Sequence, residues 1–299
     1  MYANDIANIS SILFSILFAD DTDALAHGKD LNELIDTVNG ELTKFVIWLE
    51  ANKLSLNIKK THYMVFTSNK TKINSLNICI DGIDIEKVEH TKFLGVHIDD
   101  KLTWKKHISY ISSKVSRGLG VMLKARKLLS LNAMKTLYFS FVYPYFTYCN
   151  HVWGTAYDTH LYPLFMQQKR AVRIITMSKY REHTDPLFLK LGLLKIHDVN
   201  TYVFSKFLYR WYHDKLPSLF ENIFTHVGDV HHFDTRQCTQ LYCPRIKTNL
   251  GKCKFSYRAP HIWNQIMRAK INPETSEAIF CRSIKQCIKV GILKPLYTE

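Results

Sequence analysis

Between positions 104 and 122, apolar residues recur as Trp104, Ile108, Ile111, Val115, Leu119 and Met122. At about 100° per residue these six fall within an arc of about 80°, the stripe of an amphipathic helix that has to lie against a core. Lys105, Lys106, Lys114, Arg117, Lys124 and Lys127 take the opposite side, and Arg126 alone breaks the pattern. Nine basic residues and no acidic one lie between Lys101 and Tyr157. A solvated structural helix normally carries Glu–Lys pairs four residues apart, and this one carries none. A row of cations without internal partners is better explained by contact with a phosphate backbone than by solubility.

The apolar period changes near residue 100. Upstream, 12–18 is a β-favouring run, followed by Ala19-Asp20-Asp21-Thr22 and a second short run to His27, the order of a tight hairpin. Leu31, Leu34, Ile35, Val38, Leu42, Phe45, Val46 and Leu49 then form a helical stripe, with Asp30 as N-cap. Leu54, Leu56 and Ile58 alternate, and a further β run covers 62–66. Asp81-Gly82 between 76–80 and 83–85 has the chemistry of a type I′ hairpin turn, and 93–98 closes the β-rich part. Downstream, helices are expected at about 131–142, about 160–177 and once or twice between 197 and 224. Pro144, Pro163, Pro186 and Pro217 mark boundaries or first turns. The stretch 225–262 is mixed. The reading is an α+β front, 1–100, and a mainly helical remainder, divided again near 155 into 101–155 and 156–299.

Charge follows the same division. Residues 1–100 hold 9 Lys/Arg against 15 Asp/Glu, and 101–299 hold 31 against 11. That asymmetry suits an acidic, metal-binding front and a polyanion-binding back. With 46% hydrophobic and 13% aromatic residues the chain has material for real cores. The apolar runs around Ser15 are too short to span a bilayer, and the start lacks the basic flank and cleavage site of a signal peptide. Seven scattered cysteines suit a reducing compartment. Together these give the expectation of a soluble, intracellular protein with no membrane partner. His27, His62, His97 and His107 read as isolated surface or core histidines. Cys238, Cys243 and Cys253 near His226, His231 and His232 fit no standard zinc spacing. No nucleotide-binding glycine loop, H-E-x-x-H or Ser/His/Asp arrangement is present.

Asp20-Asp21 is the candidate for chemistry. Two adjacent carboxylates at a hairpin tip repel each other unless a cation neutralises them, and oxygen ligands suit Mg²⁺. In two-metal phosphoryl transfer such ions serve the attacking and leaving oxygens. An isolated Asp-Asp is also an ordinary acidic turn, and both readings stay open on the residues alone.

In order, these pieces resemble the reverse transcriptases of LINE-type (non-LTR) retrotransposons, and the jockey-like branch in particular. Met1-Tyr2-Ala3-Asn4-Asp5-Ile6 is similar to the stretch just upstream of that family's catalytic hairpin, and Phe18-Ala19-Asp20-Asp21-Thr22 to the catalytic box. Trp48, Asn52, Lys53-Leu54, Leu56-Asn57 and Lys59-Lys60-Thr61 follow the next palm element. The stretch 93–99, with Leu102-Thr103-Trp104 and His107-Ile108, resembles the primer grip and entry to the thumb. Arg170-Ala171-Val172-Arg173, His183-Thr184, Leu191-Gly192-Leu193-Leu194 and Trp263-Asn264 resemble the C-terminal extension.

The resemblance implies a partial polymerase palm over 1–100, a basic helical thumb over 101–155 and a helical extension over 156–299. It implies RNA-directed DNA polymerase activity, with Asp20 and Asp21 holding Mg²⁺ or Mn²⁺ and Lys60 protonating the pyrophosphate leaving group. Phe93, Leu94, Gly95 and Val96 would position the primer end. Lys105, Lys106, Lys114, Arg117, Lys124 and Lys127 would hold the duplex. The implied partners are an RNA template, a DNA primer and deoxynucleotides, with the nucleus as the family's location. The family's fingers and first palm carboxylate lie upstream of Met1. The expectation is therefore a truncated chain, weak in metal, inactive alone and dependent on an upstream polypeptide. The alternatives are a non-catalytic nucleic-acid-binding helical module and an inert protein.

Overall fold

The computed structural model describes residues 4–19, 21–67, 76–230 and 240–296. The chain forms two compact units, Met1–Leu102 and Thr103–Glu299. Small sheets in the first and helices in both make the fold α+β.

The first unit opens with a 3₁₀ turn, Asn4–Asn8, and continues with β1 (Phe14–Phe18), β2 (Asp21–Leu25) and α1 (Leu31–Ala51). Then follow β3 (His62–Tyr63), β4 (Cys79–Ile80), β5 (Ile83–Asp84), β6 (Glu86–Lys87), β7 (His90–Phe93) and β8 (Val96–Asp99). The described strands form four separate pairs: β1–β2, β4–β5 and β7–β8 antiparallel, and β3–β6 parallel. The first strand is shorter than the expected 12–18. The Ser10 hydroxyl accepts from the amides of Ile12 and Leu13, at 3.1 and 2.8 Å, and removes both from the ladder. Leu13 is buried instead, with Ile6 and Phe45.

Asp30 caps α1 as expected, its carboxylate accepting from the amides of Asn32 and Glu33 at 2.9 and 3.0 Å. The stripe of α1 serves two small clusters. Phe45, with Val38 and Trp48 beside it, meets Ile6 and Leu13, while Val38, Leu42 and Val46 meet Ile78, Ile80 and Ile85. Glu41 lies buried on this helix, and hydrogen bonds from Lys44 and then Ser10 hold its carboxyl below the usual range.

The alternation of Leu54, Leu56 and Ile58 predicts a strand, and none forms. Lys53 takes a left-handed conformation at φ 56° and the amide of Leu54 returns to Leu49. The carbonyl of Asn57 then accepts from Lys60 and Thr61, closing a 3₁₀ turn over Ile58–Lys60 and leaving Leu54 and Leu56 exposed. Asp81 and Gly82, at φ 51° and 72°, make the expected type I′ connection of β4 to β5.

The second unit comprises α2 (Lys105–Ala125), α3 (Leu131–Phe141), α4 (Tyr143–Thr147), α5 (Asn150–Trp153), α6 (Asp158–Thr176), α7 (Asp185–Leu191) and α8 (Ile196–Tyr212). It continues with α9 (Val227–Val230), α10 (Asn249–Lys252), α11 (Phe255–Arg268) and α12 (Glu277–Lys289). Pro144 and Pro186 sit in first turns. Pro163 does not, because α6 starts five residues earlier at Asp158 and carries the proline inside it. The main core gathers Val199, Phe204 and Leu208 of α8, Ala259, Ile262 and Ile266 of α11, and Phe280 and Ile284 of α12.

Two polar arrangements fix how the helices meet. The Gln167 amide donates to the Ser112 carbonyl and the Ser116 hydroxyl at 3.0 and 2.7 Å. Arg126 Nε lies 3.3 Å from Met177 Sδ. Both sets of partners advance together, so α2 and α6 run side by side in the same direction. Gln168, fully buried, donates to Tyr138 OH and the Leu194 carbonyl and accepts from the Ile196 amide, at 2.8–2.9 Å. Every polar atom of that amide group is thereby engaged, which is the condition for tolerating it in a core.

Candidate active site and nucleic-acid interface

The β1–β2 register pairs Phe14 with Leu25 and Phe18 with Asp21. Ala19 turns through the left-handed region at φ 54°. The structure thus places Asp21 as the first strand residue after the connection, exposed to solvent. Asp20, and with it the expected sharing of a metal between the two carboxylates, lies outside the described residues. Because strand side chains alternate, Asp23 shares the face of Asp21. Burial, and next the charge of Asp21, push the Asp23 carboxyl above its ordinary range, while His62 acts against them. Asp21-x-Asp23 is a period-two pair that the sequence reading passed over. A strand face that presents two carboxylates suits a cation. Among the described residues, no three His, Cys, Asp or Glu side chains converge on one point.

Lys60 is exposed at the end of its 3₁₀ turn. The Lys60 carbonyl lies 3.0 Å from His62 Nδ1, and Thr91 Oγ1 lies 2.7 Å from His62 Nε2. His62 therefore ties the Lys60 turn to β7, and it is the group that opposes the upward push on Asp23. Read from sequence as one of several unconnected histidines, it joins three of the expected elements.

Phe93 pairs with Val96 across Leu94-Gly95, at φ 43° and 84°. Both central residues have positive φ, as a type I′ turn requires. Leucine in that region costs about 1 kcal/mol or more, so the tip is held under strain.

In the second unit, α2 buries His107, Ile108, Ile111, Val115, Gly118, Leu119 and Met122, and Trp104 just before it. At Gly118 the end of α3 packs close: a Cβ there would meet the Phe141 carbonyl oxygen at 2.8 Å. With α6 seated on Ser112 and Ser116, the open face centres on Lys106, Arg117 and Lys124, all exposed. These three align within about 20° and span about 27 Å of helix. Lys105 is exposed beside the α6 flank. Lys114 departs from the expected open row. It sits at the edge of the buried arc, half-buried, with its ammonium 5.2 Å from the Tyr110 ring centroid. Lys127 departs too, because the helix ends at Ala125 and leaves it in the following turn. None of the six forms a salt bridge among the described residues.

Cys238, His231 and His232 lie outside the described residues. Cys253 Sγ lies 3.4 Å from the Thr155 carbonyl, and Cys243 Sγ 3.4 Å from Asn264 Nδ2.

No family model and no solved structure matches the chain. Curated relatives do. A probable RNA-directed DNA polymerase from transposon X-element of Drosophila melanogaster is 24% identical over 202 residues, 67% of this chain and 22% of that protein. The RNA-directed DNA polymerase from mobile element jockey of Drosophila funebris is 28% identical over 208 residues, 67% of this chain and 22% of that protein. Its Drosophila melanogaster counterpart is 26% identical over 197 residues. The chain spans about a fifth of the length of the curated relatives it matches. Over roughly two thirds of its length, then, it is similar to the polymerases of jockey-like, LINE-type mobile elements.

Proposed function

We propose that this chain serves RNA-templated DNA synthesis, as the catalytic hairpin, primer-positioning hairpin and thumb of a retrotransposon polymerase. The single observation that carries the reading is the similarity to several RNA-directed DNA polymerases over about two thirds of the chain. Asp20 and Asp21 would hold a divalent cation, Mg²⁺ or Mn²⁺, with Asp23, on the strand face of Asp21, adding negative charge. A bound ion of this kind supplies charge neutralisation for phosphate oxygens. Lys60 would donate a proton toward the pyrophosphate leaving group, held in place by the His62 link to Thr91. The strained Leu94-Gly95 tip would seat the primer end. The line of Lys106, Arg117 and Lys124 would follow the backbone of a template–primer duplex, which is held through shape and phosphates rather than base edges. Template, primer and deoxynucleotides are the partners this reading requires. A two-stranded hairpin leaves its ladder edges open and Phe14 and Phe18 more than half exposed, so further polymerase sequence would be expected to cover it.

A second reading, nucleic-acid binding without catalysis, rests on the exposed line of Lys106, Arg117 and Lys124 alone. Grafting the chain in place of the matching stretch of the Drosophila funebris jockey polymerase separates the two. The chimera should extend a DNA primer on RNA with Mg²⁺, and Asp20→Ala or Asp21→Ala should abolish extension while leaving template–primer affinity intact. A chimera that binds template–primer like its parent and extends nothing would favour the second reading.

A further inference from the structure

Beyond the α2 face, the turn that follows α6 carries a second arrangement suited to nucleic acid. Tyr180 is 85% exposed, among the most exposed aromatic side chains in the described chain, and it stands between Lys179 and Arg181. The turn is not loose. The Glu182 amide donates to the Lys179 carbonyl at 3.1 Å, and the Glu182 carboxylate accepts from the Lys179 amide at 3.2 Å. Arg173 Nε donates to the Glu182 carbonyl at 2.9 Å, pinning the base of the turn to α6. Tyr180 and Arg181 are thereby left at the two corner positions. The one carboxylate in the turn, that of Glu182, accepts from the Lys179 backbone amide, while the Glu182 amide and carbonyl are engaged with the Lys179 carbonyl and Arg173 Nε.

The neighbouring surface has the same sign. Because α2 and α6 run in the same direction, their C-terminal ends lie together, joined by Arg126 and Met177. The end of α2 contributes Arg126, Lys127 and Leu128, the last also 85% exposed. Tyr180 lies three residues beyond Met177, within about 11 Å along the chain. Arg126, Lys127, Lys179 and Arg181 form no salt bridge among the described residues. Cations at helix C-termini offset the helix dipole, and that accounts for some of them. It does not account for an aromatic ring held out in water between two cations, which costs hydrophobic exposure and gains no packing.

We infer that residues 179–182 form a stacking platform for an unpaired base of single-stranded nucleic acid, with Lys179, Arg181, Arg126 and Lys127 holding the flanking phosphates. Aromatic rings take bases of any sequence on their faces, and flanking cations hold the backbone, which is how sequence-tolerant single-strand sites are made. The inference rests on the proposed nucleic-acid role, yet it concerns a surface separate from the α2 line. On a template–primer substrate it would take the single strand adjoining the duplex.

The test compares the full-length wild type with Tyr180→Ala, Tyr180→Phe and the double variant Lys179→Gln/Arg181→Gln. Binding is measured by fluorescence anisotropy on a single-stranded oligothymidylate and on a blunt duplex. Tyr180→Ala should weaken single-strand binding about fivefold or more, and Tyr180→Phe should retain it, because the ring and not the hydroxyl stacks. The double variant should flatten the single-strand salt slope by about 1.4. Blunt-duplex affinity should change little in all three. Equal single-strand affinity of Tyr180→Ala and wild type, with duplex binding intact, would overturn the platform and leave the α2 reading standing. Absence of wild-type binding to either probe would overturn both. If the cations serve only the helix ends, the double variant lowers the melting temperature and leaves the slopes unchanged, which also rejects the platform.

Discussion

Neutralising Lys106, Arg117 and Lys124 together, each to Gln, tests the duplex-binding role proposed for this face of α2. The three side chains are exposed, lie on one line of the helix and have no salt-bridge partner among the described residues. Glutamine has nearly the helix propensity of lysine and arginine, so the helix and its buried stripe should be unaffected. Each phosphate neutralised on B-form DNA contributes about 0.9 to the slope of log K against log salt. Four to six contacts from the basic set give a wild-type slope of about −4 to −5, and removing three lowers it by about 2.7. At slopes of about −4 and −1.3, raising salt from about 50 to 200 mM weakens wild-type binding about 250-fold and the variant only about sixfold. Anisotropy titrations of a duplex probe at four salt concentrations read this directly. Circular dichroism confirms that the variant is folded. Slopes that agree within about 0.5 would refute the assignment of this face to phosphate contact.

Two further outcomes concern the fold that carries the site. Burial pushes the Asp198 carboxyl up to about 6 against an ordinary 3.8, although the charge of Lys195 opposes it. The native state therefore keeps a proton that the unfolded chain releases, and stability falls as pH rises from about 4 to about 6. Asp198→Asn should remove that fall and leave the variant ahead by up to about 3 kcal/mol near pH 7, measured by urea unfolding across this range; a pH-independent difference would contradict it. Gln168→Leu strips the partners from Tyr138 OH, the Leu194 carbonyl and the Ile196 amide, and should cost about 3 kcal/mol or more in urea unfolding.

The parts of this protein legible in the sequence are those where one local rule decides. Asp30 caps α1 because a carboxylate before an apolar helical stripe has free amides to meet. Asp81-Gly82 makes a type I′ turn because both positions tolerate positive φ. The stripe from Trp104 to Met122 is buried as its spacing requires. The misreadings arise where distant or competing partners decide. Ser10 takes the amides of Ile12 and Leu13, so apolar spacing alone overstates β1. A left-handed Lys53 breaks the alternation that promises a strand at Leu54. Lys114 falls at the edge of the buried arc, where Tyr110 draws it down. The contact of His62 with Thr91 spans 29 positions and leaves no trace in local pattern. Asp23 was legible by period two, but the adjacent Asp20-Asp21 pair drew the reading.

The two proposed activities rest on elements of very different firmness. The basic line of α2 stands on a helix whose opposite side is closed by Val115, Leu119 and Met122, all almost inaccessible to solvent, with α3 and α6 packed around it. Its cations are fixed in spacing by the helix itself, and phosphate attraction tolerates an ångström of error. The proposed catalytic hairpin is, among the described residues, a two-stranded pair of its own, carrying Phe14 and Phe18 at 59% and 58% exposure. Two-stranded sheets are marginal in water, whereas metal ligation demands placement to about half an ångström. The His62 bridge and the two small clusters along α1 are what the described unit offers to hold that geometry. Affinity for nucleic acid should therefore survive damage that chemistry does not. His62→Ala, which removes the link between the Lys60 turn and β7, belongs with the changes that lower synthesis in a complete polymerase and leave duplex binding and its salt slope where they were.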